Sequence, residues 1–232
     1  PEFEQRFARY LGTEDCVSVQ SGTAALHIAL AEAGVGPGDE VIVPALSFAA
    51  SVNPILYTGA VPVLVDVDPE TWTLDPGLTE AAVTPRTRAI LPVHLYGNLC
   101  DMDKLGRIAE ERGLVIIEDA TESLGGTWKG KPSGTLGNFG CFSFNGNKLI
   151  TTGGGGMVVA RNRERIRIVS GERIAEELHK IILAESPGSG FITLEDTGLL
   201  QIVFPELARL KGVESVRGIS HKDNFYHTLK VL

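Results

Sequence analysis

Short apolar runs alternate with amphipathic segments between residues 16 and 161. Runs of strand length that stay apolar throughout are typical of strands buried on both faces of a parallel sheet. They lie at 16–20, 40–45, 61–67, 89–94, 114–120, 139–144 and 157–160. Helix-like segments separate most of them, at 23–33, about 48–58, about 76–82 and 101–112. The pattern predicts an α/β fold, with a mainly parallel sheet and helices on both faces.

Residue types at the segment ends support these boundaries. Asp101 is suited to cap a helix N-terminus, and Gly34 and Gly113 are suited to end helices. The segment that precedes residue 12 has the spacing of an amphipathic helix. Because the chain starts at Pro1, in what reads as the middle of that helix, we expect an N-terminus that is truncated or processed.

The pattern changes after about residue 163. Residues 164–182 predict one charged amphipathic helix, SPGSG at 186–190 predicts a loop, and 191–213 predict short helices with Pro205 at a helix start. A shift of this kind indicates a domain boundary. We therefore expect an α/β domain over residues 1–163 and an all-α fragment over 164–232.

Composition narrows the possible settings and partners. The chain has 232 residues, 43% of them hydrophobic, and a formal net charge of -8. This acidic balance argues against nucleic acid, because phosphate binding needs clustered Lys and Arg. The three cysteines, Cys16, Cys100 and Cys141, fit neither a disulfide framework nor a zinc site. With no membrane-length run and no signal peptide, the sequence predicts a cytoplasmic protein without a metal.

Lys148 lies between a predicted strand and four glycines, in SFNGNKLITTGGGG at 143–156. Glycine lets backbone approach a ligand closely. A partly buried lysine loses charge stabilisation, and its amine becomes a better nucleophile. The alternative, which the local sequence leaves open, is a surface-loop lysine beside flexible glycines.

Other candidate residues also follow predicted strands. Gly22 and Thr23 open a helix and could bind a phosphate, although capping is the commoner role of such residues. Asp119 could hold a positive charge or could be a turn residue. Phe48 could stack on a planar ring or could be a core aromatic. Together with Lys148, these residues fit pyridoxal 5'-phosphate, which needs a lysine for its aldehyde and an acid for its ring nitrogen.

Residues 1–163 resemble the DegT/StrS sugar-nucleotide aminotransferases of the pyridoxal phosphate fold type I. The segments VQSGTAALHIAL, VIIEDATESLG and GTLGNFGCFSFNGNKLITTGGGGMVV carry the resemblance in family order. It implies a fold-type-I large domain, and transfer of an amino group from glutamate to a keto group of a nucleotide-linked deoxysugar, for surface polysaccharide or glycan biosynthesis. The sugar would be UDP-linked by the branch that the sequence resembles. It also implies a homodimer.

The resemblance also implies residue roles. Lys148 would hold the cofactor covalently and move protons, and Asp119 would face the ring nitrogen. The implied cofactor-binding residues are Gly22, Thr23, Phe48, Asp119, Glu122, Ser143 and Lys148. Glu122 stands where many members carry Gln or His, near the ring hydroxyl. His94 would lie near the substrate side, or would be structural.

Residues 168–232 resemble a different family, the bacterial CCA-adding tRNA nucleotidyltransferases, in the region that joins the neck helices to an HD-type domain. TGLLQIVFPEL and HKDNFYHTLKVL carry this resemblance. The sequence thus predicts a join of two unrelated fragments between about 161 and 170. Two alternatives to an aminotransferase remain: a catalytically inactive fragment, and RNA binding through the C-terminal helices. The acidic charge disfavours the second.

Overall fold

The computed structural model describes residues 2–14, 16–160, 187–196, 200, 205–209, 211, 215–216 and 219–220. The helix expected over 164–182 and the HKDNFYHTLKVL segment lie outside these residues. The chain divides into two compact units, Pro1–Ile168 and Val169–Leu232.

The first unit alternates strands and helices, as the apolar pattern predicts. Its elements are α1 (Glu2–Leu11), β1 (Cys16–Val19), α2 (Gly22–Glu32), β2 (Glu40–Pro44), α3 (Ala49–Tyr57), β3 (Val61–Val65), α4 (Pro76–Ala81), β4 (Thr87–Ile90), α5 (Met102–Arg112), β5 (Val115–Asp119), β6 (Thr127–Trp128), β7 (Lys131–Pro132), β8 (Phe139–Ser143) and β9 (Gly156–Ala160), with a 3-10 turn at Leu95–Gly97.

Seven of these strands form one sheet in the order β1-β9-β8-β5-β4-β2-β3. The pairs among β8, β5, β4, β2 and β3 are parallel, whereas β9 runs antiparallel to both β8 and β1. Only loop 144–155 joins β8 to β9, and a parallel pair would need a longer crossover connection. The mainly parallel sheet is confirmed, with β9 as its antiparallel member.

Helices cover both faces of the sheet, as expected. Val41 and Val43 of β2 pack in a core with α2, whereas Ile42 belongs to a second core with α5. Successive strand residues point to opposite faces, so burial of all three requires helices on both sides. This is why the strands read as continuous apolar runs.

The ends of α5 follow the capping chemistry predicted from sequence. The Asp101 carboxylate accepts a hydrogen bond from the Lys104 N–H at 3.1 Å. Gly113 ends the helix with φ 67°, in the left-handed region that favours glycine. Both helix-end predictions are confirmed.

The second unit departs from the expectation in two places. Its described elements are α6 (Pro187–Asp196), α7 (Pro205–Ala208), β10 (Ser215–Val216) and β11 (Ile219–Ser220). The prediction of a loop at 186–190 is wrong, because α6 starts at Pro187. Proline is well suited to the first position of a helix. The all-α expectation is also wrong, since β10 and β11 pair antiparallel, with β-branched Val216 opposite β-branched Ile219. The helix start at Pro205 is confirmed.

Across the residues that the structure describes, no helix combines the length and the apolar character needed to cross a bilayer.

Candidate active site

Four strands of like direction deliver candidate residues to one edge of the sheet. The ends of β1, β2, β5 and β8 lead to Gly22, Phe48, Asp119 and Ser143, in that order. Ligands of open α/β sheets bind at the carboxyl ends of the strands. A cavity of about 130 Å³ opens at this edge. It is lined by Ser21, Gly22, Thr23, Leu26, Phe48, Ala50, Ser51, Asp119, Thr121, Ser143, Asn145, Asn147 and Lys148.

A larger cavity, of about 390 Å³, lies elsewhere in the first unit. It borders Ala160 and Asn138, at the amino edge of the parallel strands. Its charged lining residues, Glu14 and Lys131, are both exposed. Both charges therefore face solvent, whereas the smaller cavity contains a buried carboxylate, that of Asp119.

The start of α2 forms one end of the smaller cavity. The Ser21 hydroxyl accepts a hydrogen bond from the Ala24 N–H at 3.1 Å, so the capping interpretation holds for Ser21. A Cβ on Gly22 would lie 2.8 Å from Cβ of Ser143, closer than real Cβ atoms approach. The first N–H groups of a helix lack partners within the helix and favour anions. Glycine therefore lets the start of α2 pack directly against Ser143, and the helix N–H groups beside it can meet a phosphate in the cavity.

Asp119 supplies a buried carboxylate, with the residue only 3% exposed. Its Oδ2 accepts a hydrogen bond from the Ser51 hydroxyl at 2.7 Å, and its Oδ1 accepts one from the Thr121 N–H at 3.2 Å. The second contact is the local turn expected of an aspartate. The first contact comes from α3, and sequence reasoning missed Ser51. The available signal was a hydroxyl within the apolar start of that helix, three residues after Phe48.

Lys148 extends from the loop between β8 and β9. Its side chain is 12% exposed, which rules out the surface-loop interpretation. Nζ lies 3.1 Å from Oε1 of Glu122 and 5.5 Å from the centroid of the Phe48 ring. Phe48 is 62% exposed, so it is not a core aromatic. The lysine is thus enclosed between a carboxylate and an aromatic face.

The glycine run beside Lys148 serves close packing at two of its four positions. Gly155 has φ 112°, which L side chains rarely adopt, and its N–H donates to the Gln20 carbonyl. A Cβ on Gly156 would lie 2.5 Å from the Ser21 carbonyl oxygen. Gly154 has open space around it. The run therefore lets the β9 start pass directly against the β1–α2 connection.

His94 has a structural position. It is fully buried, with Nε2 3.0 Å from Oε2 of Glu118, while Nδ1 accepts the Cys100 N–H at 3.3 Å. Nε2 therefore carries the proton that is donated to Glu118. The same carboxylate accepts the N–H groups of Gly134, Leu136 and Gly137. Of the two alternatives for His94, the structural one is supported.

Cys141 lies beneath the site but has little reactivity there. It is fully buried, and burial raises the pKa of its thiol well above the ordinary value, with the Asp119 and Glu118 carboxylates adding to the effect. A thiol kept protonated is a poor nucleophile and metal ligand. In the part of the chain that the structure describes, no three His, Cys, Asp or Glu side chains come together as a metal site.

The arrangement fits pyridoxal phosphate on observations of the structure itself. The start of α2, where Gly22 packs against Ser143, suits the phosphate, a buried carboxylate at Asp119 suits a protonated ring nitrogen, and an enclosed amine at Lys148 suits the aldehyde. Fold and site together define the large domain of an aminotransferase of the α/β class.

The chain belongs to the DegT/DnrJ/EryC1/StrS aminotransferase family, whose model matches residues 1–173. It is 51% identical over 174 residues to a GDP-perosamine synthase of Caulobacter vibrioides, covering 74% of this chain and 47% of that protein. It is 46% identical over 201 residues to an L-glutamine:scyllo-inosose aminotransferase of Streptomyces griseus, covering 85% of this chain and 46% of that protein. The chain thus spans about half the length of these relatives.

A solved structure gives the same result for the fold. The pyridoxal phosphate form of the putative sugar aminotransferase Spr1654 from Streptococcus pneumoniae superposes with a TM-score of 0.68 at 37% identity. The match covers 76% of this chain and 48% of that one. The expected fold class, the large domain of a pyridoxal phosphate-dependent aminotransferase, is confirmed.

A second family model matches residues 158–211, and its description is a probable RNA and SrmB-binding site of polymerase A. It overlaps the end of the aminotransferase match. The two matches agree with the expectation that the chain joins segments of two families.

Proposed function

We propose that residues 1–163 form a large domain that binds pyridoxal 5'-phosphate and transfers an amino group to a keto group of a nucleotide-linked deoxysugar. The observation that carries the proposal is the enclosure of Lys148 in one cavity with the buried Asp119. A lysine and an acid at the carboxyl edge of a parallel sheet are the two groups that this cofactor requires. The proposed pathway is the synthesis of a surface polysaccharide or glycan, and the proposed setting is the cytoplasm.

Each residue has a part in the proposal. Gly22, Thr23 and Ser143 receive the phosphate at the α2 start, and Phe48 covers the ring. Asp119 keeps a proton on the ring nitrogen, and Ser51 and Thr121 keep that carboxylate aimed into the cavity. When bound, the cofactor supplies the electron-withdrawing ring that carries the amino group between donor and acceptor.

Lys148 moves protons in this proposal. Its amine has a carboxylate partner, Glu122, and an aromatic neighbour, Phe48. An amine that is only slightly exposed exchanges protons with its neighbours rather than with bulk water. It is therefore placed to take a proton from the substrate carbon and to return it.

Glutamate is the proposed amino donor, and a homodimer is the proposed assembly. One relative bears the name of a glutamine-dependent enzyme, and another bears the name of a GDP-sugar enzyme. The substrate test should therefore use glutamate and glutamine as amino donors, each with UDP-linked and GDP-linked keto sugars as acceptors. Turnover of GDP-linked sugars alone would overturn the assignment to a UDP-sugar branch.

The direct experiment is a titration of the full chain with pyridoxal phosphate, followed by absorbance, borohydride reduction and peptide mapping. We expect a yellow complex and a covalent label on Lys148, and no label there in Lys148→Ala. Labels spread over exposed lysines, such as Lys129 and Lys131, would overturn the proposal. The chain would then be the inactive fragment that the sequence left as an alternative.

The match over residues 158–211 gives a second candidate function, RNA binding. We rank it second because α6 contains Glu195 and Asp196 but no Lys or Arg. RNA phosphates are neutralised by basic side chains, so this helix gains little from contact with them. Fluorescence anisotropy with a labelled tRNA at several salt concentrations tests it. Tight binding that weakens with salt would raise this function to the first rank.

A further inference from the structure

Glu122 connects the reactive lysine to the backbone of a neighbouring loop. Its Oε1 lies 3.1 Å from Nζ of Lys148, and its Oε2 accepts the N–H of Tyr96 at 2.9 Å. The Glu122 and Lys148 side chains are only 20% and 12% exposed. Because both oxygens are engaged, the carboxylate has one orientation, and that orientation places a negative charge against the amine.

The backbone of Tyr96, whose N–H donates to Glu122, has an unusual conformation. Tyr96 has φ 53° and ψ 24°, a left-handed conformation that is uncommon outside glycine. Tyr96 is 78% exposed, so burial of the residue does not enforce the conformation. The surrounding turn is closed by hydrogen bonds from Gly97 N–H to the His94 carbonyl and from Asn98 N–H to the Leu95 carbonyl. Strained backbone that persists at a site indicates a functional constraint, and here it directs the Tyr96 N–H at Glu122.

The charges around Lys148 show what Glu122 contributes. Partial burial disfavours an ammonium ion, whereas an adjacent carboxylate favours it. The Phe48 ring, 5.5 Å from Nζ, also favours a cation. Asp119 is the carboxylate among the residues that line the cavity, and its oxygens accept hydrogen bonds from Ser51 and Thr121. Within the described residues, Glu122 is the carboxylate that compensates the charge of Lys148.

We propose that Glu122 is a positioning residue: its carboxylate, fixed by the Tyr96 N–H, holds the amine of Lys148 in an ion pair that lowers the reactivity of that amine. This inference rests on the proposed function, because it assigns a use to the amine of Lys148.

The test measures amine reactivity in the cofactor-free full chain. A brief pulse of acetic anhydride at neutral pH, read by mass spectrometry of peptides, gives the acetylation rate of each lysine. The Glu122→Gln substitution keeps the shape of the side chain but removes its charge. In this variant we expect Lys148 to be acetylated roughly tenfold faster than in the unmodified chain. Lys129 and Lys131, both exposed, serve as references whose rates stay unchanged. Glu2→Gln, which removes a charge from an exposed ion pair with Arg6, is the matched control and leaves Lys148 unchanged.

Two further outcomes keep the inference separate from the proposed function. An unchanged or slower rate at Lys148 in Glu122→Gln overturns the inference, even if pyridoxal phosphate labels Lys148 in the unmodified chain. A faster rate, with no pyridoxal phosphate label in the unmodified chain, overturns the proposed function alone. If the acetylation rates of Lys129 and Lys131 also rise in Glu122→Gln, that variant has lost its fold. The Glu122→Asp variant then tests the inference in its place. The shortened carboxylate should raise the rate at Lys148 alone, and no increase there overturns the inference.

Discussion

The hydroxyl of Ser51 donates a 2.7 Å hydrogen bond to the carboxylate of Asp119, from a position 68 residues earlier in the chain. Both residues are almost completely buried. Hydrogen bonds to charged groups contribute more than neutral ones, and a buried carboxylate that loses a donor bears a desolvation cost. Ser51 therefore stabilises the domain and orients the acid of the proposed site.

Ser51→Ala should lower the free energy of unfolding by about 2 kcal/mol, because a buried charged acceptor loses its donor. It should also weaken pyridoxal phosphate binding roughly tenfold, because Asp119 is no longer held in one orientation. Urea denaturation and an absorbance titration measure the two effects. Ser47→Ala is the matched control, since the Ser47 hydroxyl bonds only to the adjacent Phe48 carbonyl at an exposed position. Equal behaviour of the two variants would remove Ser51 from this role.

Ser143→Ala should discriminate between the phosphate and the ring of the cofactor. Loss of one hydroxyl donor to a charged phosphate should weaken pyridoxal phosphate binding roughly tenfold. Binding of pyridoxal, which has no phosphate, should hardly change. Parallel titrations of the variant and the unmodified chain with both ligands provide the measurement. An equal loss for both ligands would mean that Ser143 acts on the ring or on the fold.

His94→Ala should lower the free energy of unfolding by about 3 kcal/mol, because it leaves the buried Glu118 carboxylate without one of its partners. His94→Gln, which keeps a donor amide, should cost clearly less. Thermal and urea denaturation compare the variants. A His94→Ala protein of full stability but without aminotransferase activity would instead give His94 a chemical role.

Two glycines should respond oppositely to the same substitution. A Cβ on Gly140 would lie 2.0 Å from the Gly134 carbonyl oxygen, which belongs to the backbone and cannot move away easily. Gly140→Ala should therefore cost about 3 kcal/mol or prevent folding. Gly106 lies in α5 with open space at its Cβ position, so Gly106→Ala should stabilise by about 0.5–1 kcal/mol. Denaturation midpoints that move in the same direction would contradict the packing argument.

Hydrophobic periodicity and helix-end signals predicted the positions of most helices and strands. They failed where a proline determined the boundary of an element. The strand expected at 89–94 ends at Ile90, although Val93 still pairs with Asp119 in an isolated bridge. Pro92 between them has no N–H for a ladder and interrupts the strand. In the second unit, a proline taken as a loop signal instead begins α6. Proline restricts the backbone at both kinds of position, so its effect depends on whether the residues after it can continue a helix.

The amino-acid sequence by itself determined the alternation of strands and helices, the helix ends at Asp101 and Gly113, and the candidate residues at the strand ends. These features depend on residues near one another in the chain, where periodicity and capping act. Only the tertiary structure decided which side chains meet: Ser51 with Asp119, and Glu122 with Lys148. Such pairs depend on strand order and on the exact approach of distant loops, and no local pattern encodes that geometry.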